Sequence, residues 1–237
     1  MKAIVLAAGI GQRLGSKEIP KPMFEINGKP VLEHNILLLK KYGVTDICIN
    51  LYYLPDVIKN YFQDGNKWGV KISYSFESKL LGTSGAVKNI EKFWENKPFF
   101  VIYGDNFTDI DLTDMYNFHT SRNSFTTIAL FDPQISLNSG IAGGVVTMDK
   151  HNKIISFIEG QKNDTSGYVN AGVYVLEPGI LDMIPEGQFS DFGKDIFPSL
   201  IKTGYVLKGY VTKGFVIAID DIDALKQAEL VTKKLQN

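Results

Sequence analysis

The chain begins Met1-Lys-Ala-Ile-Val-Leu-Ala-Ala-Gly-Ile-Gly-Gln-Arg-Leu14, MKAIVLAAGIGQRL. Residues 2–6 are a short apolar run with the length and composition of a buried strand. Directly behind Leu6 come Ala7, Ala8, Gly9 and Gly11, then one fixed cation, Arg13. Glycine lets the backbone turn and brings its N–H groups close to a ligand. Such groups, with a guanidinium beside them, suit phosphate oxygens. The two alanines would let a flat base or a ribose lie against the chain. Two better-known phosphate loops do not fit. Gly9, Gly11 and Gly15 are spaced by two and four, whereas the dinucleotide fingerprint needs two and three. A Walker loop needs a lysine after its last glycine, and Ser16 follows Gly15. On this stretch alone, a βα turn without a ligand remains the alternative.

A second signal follows in Ile19-Pro-Lys-Pro-Met23. Prolines on both sides of Lys21 restrict its backbone. A lysine so fixed, just behind a phosphate-like loop, reads as placed; a solvated lysine in a proline turn is the plain alternative.

Outward from this start the pattern alternates. Residues 2–6, 46–51, 71–76 and 99–103 read as strands. Residues 31–42, 54–62 and 83–94 read as helices, the first closed by Gly43. Strands alternating with helices predict an α/β fold with a mainly parallel, mixed sheet, Rossmann-like, covered on both faces by right-handed crossovers. The second half is richer in strands: residues 125–131, 143–148, 153–158, 172–176, 205–211 and 215–219, with helical segments at 178–184, 192–202 and 222–235. The expected organisation is one continuous domain over 1–237 whose β-rich second half (111–237) adds a lid or acceptor-binding subregion to the first (1–110).

Lys and Arg total 25 against 26 acids, so no global field draws in nucleic acid or an anionic membrane. The one cysteine, Cys48, excludes an internal disulfide and reads as a core thiol. With His34, His119 and His151 far apart in sequence, a structural zinc site is not expected. The start lacks the features of a secretory leader, and no apolar run reaches the ~20 residues of a membrane helix. A cytoplasmic protein is the expectation.

The ordered motifs resemble the sugar-nucleotide pyrophosphorylases, the NTP:sugar-1-phosphate nucleotidyltransferases, and are similar to the mannose- and heptose-1-phosphate guanylyltransferases among them. The family's L-A-x-G-x-G-x-R-L matches residues 6–14, its P-K-P-M matches 20–23, and I-N-G-K-P-V-L matches 26–32. Later landmarks keep the same order: GTSGA at 82–86, YGD at 103–105, GVV at 144–146, FIE at 157–159, VNAG at 169–172 and DFGKD at 191–195. The resemblance implies attack of a sugar 1-phosphate on the α-phosphorus of an NTP, with pyrophosphate leaving. It implies Arg13 and Lys21 on the phosphates and Mg2+ held by Asp105. It also implies Leu6, Ala7, Ala8, Gly9, Gly11, Glu77, Gly82 and Thr83 around the nucleotide. For the sugar phosphate it implies Gly144, Glu159, Asn170 and Gly172. A turn or helix cap is the other reading of Asp105. A homo-oligomer is compatible with this chain.

Two departures stand out. Where many relatives carry W-x-D, this chain has Gly214-Phe-Val-Ile-Ala-Ile-Asp-Asp-Ile-Asp223. One alignment puts Ala218 at the aspartate; a cytidylyltransferase-like alignment puts Asp220 there. In a strand, residues two apart share a face, so Asp220 is expected to complete the metal site, with Asp221 as the other candidate. Capping of the last helix is the alternative role for both. The second departure is Gly160, where many relatives carry a phosphate-binding lysine; Lys162 is the nearby substitute. Glu77 stands five residues before Gly82, where relatives read the base. A carboxylate only accepts hydrogen bonds, and guanine offers two adjacent donors. The expected substrates are therefore GTP and a mannose- or heptose-like 1-phosphate. CTP with a sugar- or alcohol-phosphate, or a non-catalytic homologue, are the alternatives.

Overall fold

The structure, a computed structural model, describes residues 1–9, 11, 18–138, 143–160 and 167–236. Strand β1 (Lys2–Leu6) lies at its centre. A two-residue hairpin, β2 (Glu25–Ile26) and β3 (Lys29–Pro30), leads into helix α1 (Val31–Lys41). Strand β4 (Asp46–Leu51), helix α2 (Pro55–Phe62), strand β5 (Lys71–Phe76), helix α3 (Gly82–Asn89) and strand β6 (Phe99–Tyr103) follow. Then come β7 (Asn106–Thr108), α4 (Leu112–Ser121), β8 (Thr126–Phe131), β9 (Val145–Met148), β10 (Ile154–Ile158) and β11 (Tyr168–Leu176). The chain closes with α5 (Phe197–Lys202), β12 (Leu207–Val211), β13 (Val216–Ala218) and α6 (Ile222–Gln236).

The nine-stranded sheet runs β10-β9-β11-β6-β1-β4-β5, with β8 and β12 branching from β11. Strands β6, β1, β4 and β5 pair in parallel; β11 turns against β6 and begins an antiparallel region. The pleat sorts the core. Along β1, Ala3 and Val5 face α1 with its Leu32, Ile36 and Leu39. Ile4 faces the other way, towards Val87, Phe192 and Phe197. Side chains that alternate across a doubly covered strand are both buried, which is why the first strand reads as a continuous apolar run.

Several elements differ from their sequence expectation. Helix α3 stops at Asn89 rather than near residue 94, because Trp94 stacks on Phe99 at 3.8 Å and donates from its indole N–H to the Val87 carbonyl at 3.2 Å. Strand β11 begins at Tyr168, earlier than residue 172, and carries Asn170 and Gly172 within it. Its register shifts between Asn170 and Tyr174, and Gly172 has φ +67° at that irregularity. The 192–202 segment is a wide π-turn, Phe192–Ile196, before α5. The sequence reading passed over α4, whose first turn is capped by Asp111 accepting from the Asp114 N–H at 2.8 Å.

Burial pushes the Cys48 thiol up to about 11, consistent with an inert core thiol. Buried His119 lies between Thr127 Oγ1 at 2.9 Å and Glu177 Oε1 at 3.1 Å; burial holds its pKa below the ordinary value against the pull of Glu177. His34 is lowered for the same first reason. Below about pH 6.5 the unfolded chain then binds more protons than the folded one, so stability falls as the pH drops through that value. Denaturant titrations from pH 7.5 to 5.5 should show the loss, and His119→Gln should flatten it. An unchanged slope in His119→Gln would contradict a titrating role for His119. Among the described residues, no helix is long and apolar enough to cross a membrane.

Candidate active site

In an open sheet the carboxyl ends of parallel strands form the crevice where ligands bind. Here β1, β4 and β6 end side by side, Leu6 opposite Asn50 and Tyr103. Beyond β6, the Gly104 N–H donates to the Leu6 carbonyl at 2.9 Å, and a Cβ on Gly104 would lie 2.8 Å from that oxygen. Only glycine permits so close a crossing, and it sets Asp105 beside the end of β1. The buried Asn35 of α1 holds the same turn by donating to the Gly104 carbonyl at 3.3 Å.

Asp220 arrives from the far end of the chain. Strand β13 pairs with β7 so that Ala218 opposes Asn106, and the Ile219 N–H donates to the Asp105 carbonyl at 2.9 Å. Asp220 follows the strand rather than lying in it, and its N–H donates back to the Ala218 carbonyl at 2.9 Å. Asp221 is used otherwise: its Oδ1 accepts from the Ala224 N–H at 2.8 Å, a helix cap.

Lys21 lies between the two carboxylates. Its ammonium donates to Asp220 Oδ1 at 2.5 Å and to Asp105 Oδ2. Burial works against the charge, but Asp105 first and then Asp220 outweigh it and hold the lysine above its ordinary value. The glycine loop passes against the same side chain: Gly11 has φ +63°, and a Cβ there would meet Lys21 Cβ at 2.7 Å. Arg13 lies outside the described residues, as does Lys162. Asp105 and Asp220 offer hard oxygen donors converging from separate elements. Among the described residues no third His, Cys, Asp or Glu joins them as a metal cluster. Such a pair fits an ion completed by water and substrate phosphates, the habit of magnesium.

A cavity of about 290 Å³ opens at this point, near the lower end for small-molecule sites. Leu6, Ala8, Gly9, Lys21, Asn50, Glu77, Gly82, Thr83, Tyr103, Asp105, Phe189 and Asp191 line it. The Ala7 N–H donates to Asn50 Oδ1 at 2.7 Å. The same asparagine donates from Nδ2 to Glu77 Oε1 at 2.8 Å, and the Leu81 N–H donates to Glu77 Oε2 at 2.9 Å. Glu77 is only 8% exposed. Its burial raises the carboxyl pKa, and the hydrogen bonds from Asn50 and Leu81 offset part of that rise. Gly82 has φ +74°, and any side chain there would run into the Ser190 carbonyl. Gly82→Ala is therefore expected to destabilise by about 1–3 kcal/mol, from backbone strain and overpacking. Chemical denaturation measures this, and a variant as stable as the parent would contradict the tight contact.

The four residues expected on the sugar phosphate lie outside that cavity but form a cluster next to it. The Asn170 N–H donates to the Gly144 carbonyl at 2.9 Å. A Cβ on Gly144 would lie 2.7 Å from Glu159 Oε2. Gly172 abuts Tyr103, whose Cγ lies 2.9 Å from where a Cβ would be. Burial raises the Glu159 pKa, Asp191 adds to the rise, and Lys194 opposes it. Tyr103 and Asp191 join this cluster to the cavity. The sequence reading quoted both inside motifs yet assigned neither to the site; for Asn50 and Phe189 it held no signal.

Comparison with known proteins places the chain in a family. Residues 2–227 match the nucleotidyl transferase family. The chain is 38% identical over 222 residues to the UTP–glucose-1-phosphate uridylyltransferase of Synechocystis, covering 86% of this chain and 56% of that protein. It is 39% identical over 184 residues to the D-glycero-alpha-D-manno-heptose 1-phosphate guanylyltransferase of Campylobacter jejuni, covering 77% and 78%. The chain thus spans little more than half the length of the first relative. The crystal structure of HddC from Yersinia pseudotuberculosis complexed with GMP-PN superposes with a TM-score of 0.80 at 30% identity, over 98% of this chain and 99% of that one.

Proposed function

We propose nucleotidyl transfer to a sugar 1-phosphate as the reaction of this chain, which belongs to the nucleotidyl transferase family. The observation that carries the proposal is the Lys21 ammonium held between Asp105 and Asp220 at the mouth of the cavity that also contains Glu77. Residues 1–110 take the nucleotide and residues 111–237 complete the acceptor side. The triphosphate lies along Gly9 and Gly11, with Arg13 and Lys21 on its oxygens. An acceptor phosphate oxygen attacks the α-phosphorus in line, the bond to the β-phosphate breaks, and pyrophosphate leaves. Positioning and charge neutralisation carry such a step. Lys21 supplies a cation on a backbone restricted by Pro20 and Pro22, and its ammonium leaves the two carboxylates for the phosphate oxygens when nucleotide binds. Asp105 and Asp220 would hold Mg2+, which when bound neutralises phosphate charge. Glu159, Asn170, Gly144 and Gly172 shape the sugar side.

GTP is the proposed nucleotide. Each Glu77 oxygen already accepts one hydrogen bond and retains a lone pair, which matches the N1–H and N2–H donors of guanine. The heptose guanylyltransferase relative and the HddC complex with GMP-PN support this choice and a heptose- or mannose-like acceptor. The Synechocystis relative supports a second reading, UTP with glucose 1-phosphate. A matrix of GTP, CTP, UTP and dTTP against mannose, heptose and glucose 1-phosphates, read as magnesium-dependent pyrophosphate release, tests both. The highest rate is expected with GTP; silence across the matrix would contradict an enzymatic role. In Glu77→Gln the side chain has one acceptor oxygen for the Asn50 and Leu81 donors, and one of them faces an amine instead. GTP preference over UTP in kcat/KM should fall about 10–100-fold, roughly 1.4 kcal/mol per tenfold. An unchanged nucleotide ranking would contradict base reading by Glu77.

A further inference from the structure

Phenylalanine is among the residues most often buried, yet Phe189 is 62% exposed. Its backbone is nonetheless fixed by the residue that follows. Ser190 is buried; its N–H donates to the Leu81 carbonyl at 2.9 Å, and its carbonyl accepts from the Ser84 and Gly85 N–H groups at 3.1 and 3.2 Å. The Ser190 hydroxyl also accepts from Ser84 Oγ at 2.7 Å. On this anchored backbone the Phe189 ring lies against the start of α3, with its Cε2 3.2 Å from where a Cβ on Gly82 would be. It lines the same cavity as Leu6, Leu80 and Glu77. Among the described residues it stacks on no other aromatic ring.

Leu81 ties this ring to Glu77. The Leu81 N–H donates to Glu77 Oε2 at 2.9 Å, and the Leu81 carbonyl accepts from the Ser190 N–H at 2.9 Å. One residue thus positions both the carboxylate and the backbone that carries the ring. The two side chains offer complementary chemistry. A carboxylate meets a base at its edge, through donors that lie in the base plane, and leaves the faces of the base uncovered. An aromatic ring meets a flat base at its face. The cluster of Gly144, Glu159, Asn170 and Gly172 lies outside this cavity, which puts the ring on the nucleotide side.

We propose that Phe189 covers the face of the nucleobase while Glu77 holds its edge. The inference rests on the functional reading above, which sets the base at Glu77. Covering the ring takes its exposed apolar surface out of water. Every base has a flat face, so the cover serves whichever base Glu77 selects. Phe189 supplies affinity and Glu77 supplies selectivity. A contact made equally with the bound substrate and with the transition state lowers KM and leaves kcat alone.

Steady-state kinetics tests this with the nucleotide and sugar 1-phosphate that the parent protein uses best. Phe189→Ala should raise the KM for the nucleotide about 10-fold, within the range for loss of one base–aromatic contact. Both kcat and the KM for the sugar 1-phosphate should stay within about twofold of the parent. Phe189→Tyr keeps the flat ring and should hold the nucleotide KM within about twofold. Thermal melts confirm that each variant is folded. A nucleotide KM unchanged in Phe189→Ala, or raised as far in Phe189→Tyr, would overturn the cover alone. So would an equal rise for the sugar 1-phosphate, or a fall in kcat in place of the rise in KM. A parent without turnover on any pair would overturn the functional reading and this inference with it.

Discussion

Asp105→Ala is expected to lower turnover by about 10³-fold, the upper range for removal of one electrostatic group. The protein should stay folded. The sheet contact at this position is made by the backbone, whose carbonyl accepts from the Ile219 N–H at 2.9 Å, so truncating the side chain leaves the β7–β13 pairing in place. What disappears is one of the two carboxylates facing Lys21 and, in the proposed mechanism, half of the protein's hold on the metal. Pyrophosphate release and the thermal midpoint, measured on the same preparation, check both parts. Undiminished turnover in a folded variant would remove Asp105 from the mechanism.

Lys21→Met is expected to cost about 10²–10³-fold in turnover. Methionine keeps most of the unbranched stem but not the cation. The Asp105 and Asp220 carboxylates would then face each other without the ammonium between them. Their side chains are 28% and 26% exposed, so the loss of stability should be about 1–2 kcal/mol, less than for a fully buried pair. Magnesium should raise the melting temperature of Lys21→Met more than that of the parent, because the ion meets two carboxylates no longer paired with an ammonium. Equal shifts in the two proteins would contradict a metal position between Asp105 and Asp220.

Much of this was legible in the sequence, for identifiable reasons. Strands β1, β4 and β6 lie at their expected bounds because a strand buried on both faces leaves a mostly apolar run, and the edge strand β5 keeps its expected bounds although Lys71 and Phe76 are exposed. Lys21 was singled out by local chemistry, a lysine between prolines, whereas Asp105, behind a strand, and Asp220, at the end of residues 214–220, took their metal role from the family resemblance. Their convergence was not local. It depends on Gly104 crossing β1 and on β13 pairing with β7, a contact between residues more than a hundred apart in sequence. The division of labour at Asp220 and Asp221 also needed the fold, because only the end of β13 at Ala218 decides which carboxylate turns inward. Asn50 was invisible for a related reason. Its role comes from the Ala7 N–H on one side and Glu77 on the other, and a single asparagine in a strand carries no pattern. Tyr103 and Asp191 stood inside recognised motifs, but the contacts that bring the two halves together there, Gly172 against Tyr103 and Thr83 on Asp191, required coordinates. Helix α4 was missed because its buried face is narrow, carried by Leu112, Met115 and the polar His119.

The most direct test of the central claim is a crystal structure of the protein with a non-hydrolysable GTP analogue and magnesium. The account predicts phosphates against Gly9 and Gly11 within reach of Lys21, the base at Glu77 beside Asn50, and the ion between Asp105 and Asp220. A nucleotide bound elsewhere, with Lys21 still closed on both carboxylates and the Glu77 pocket empty, would contradict it.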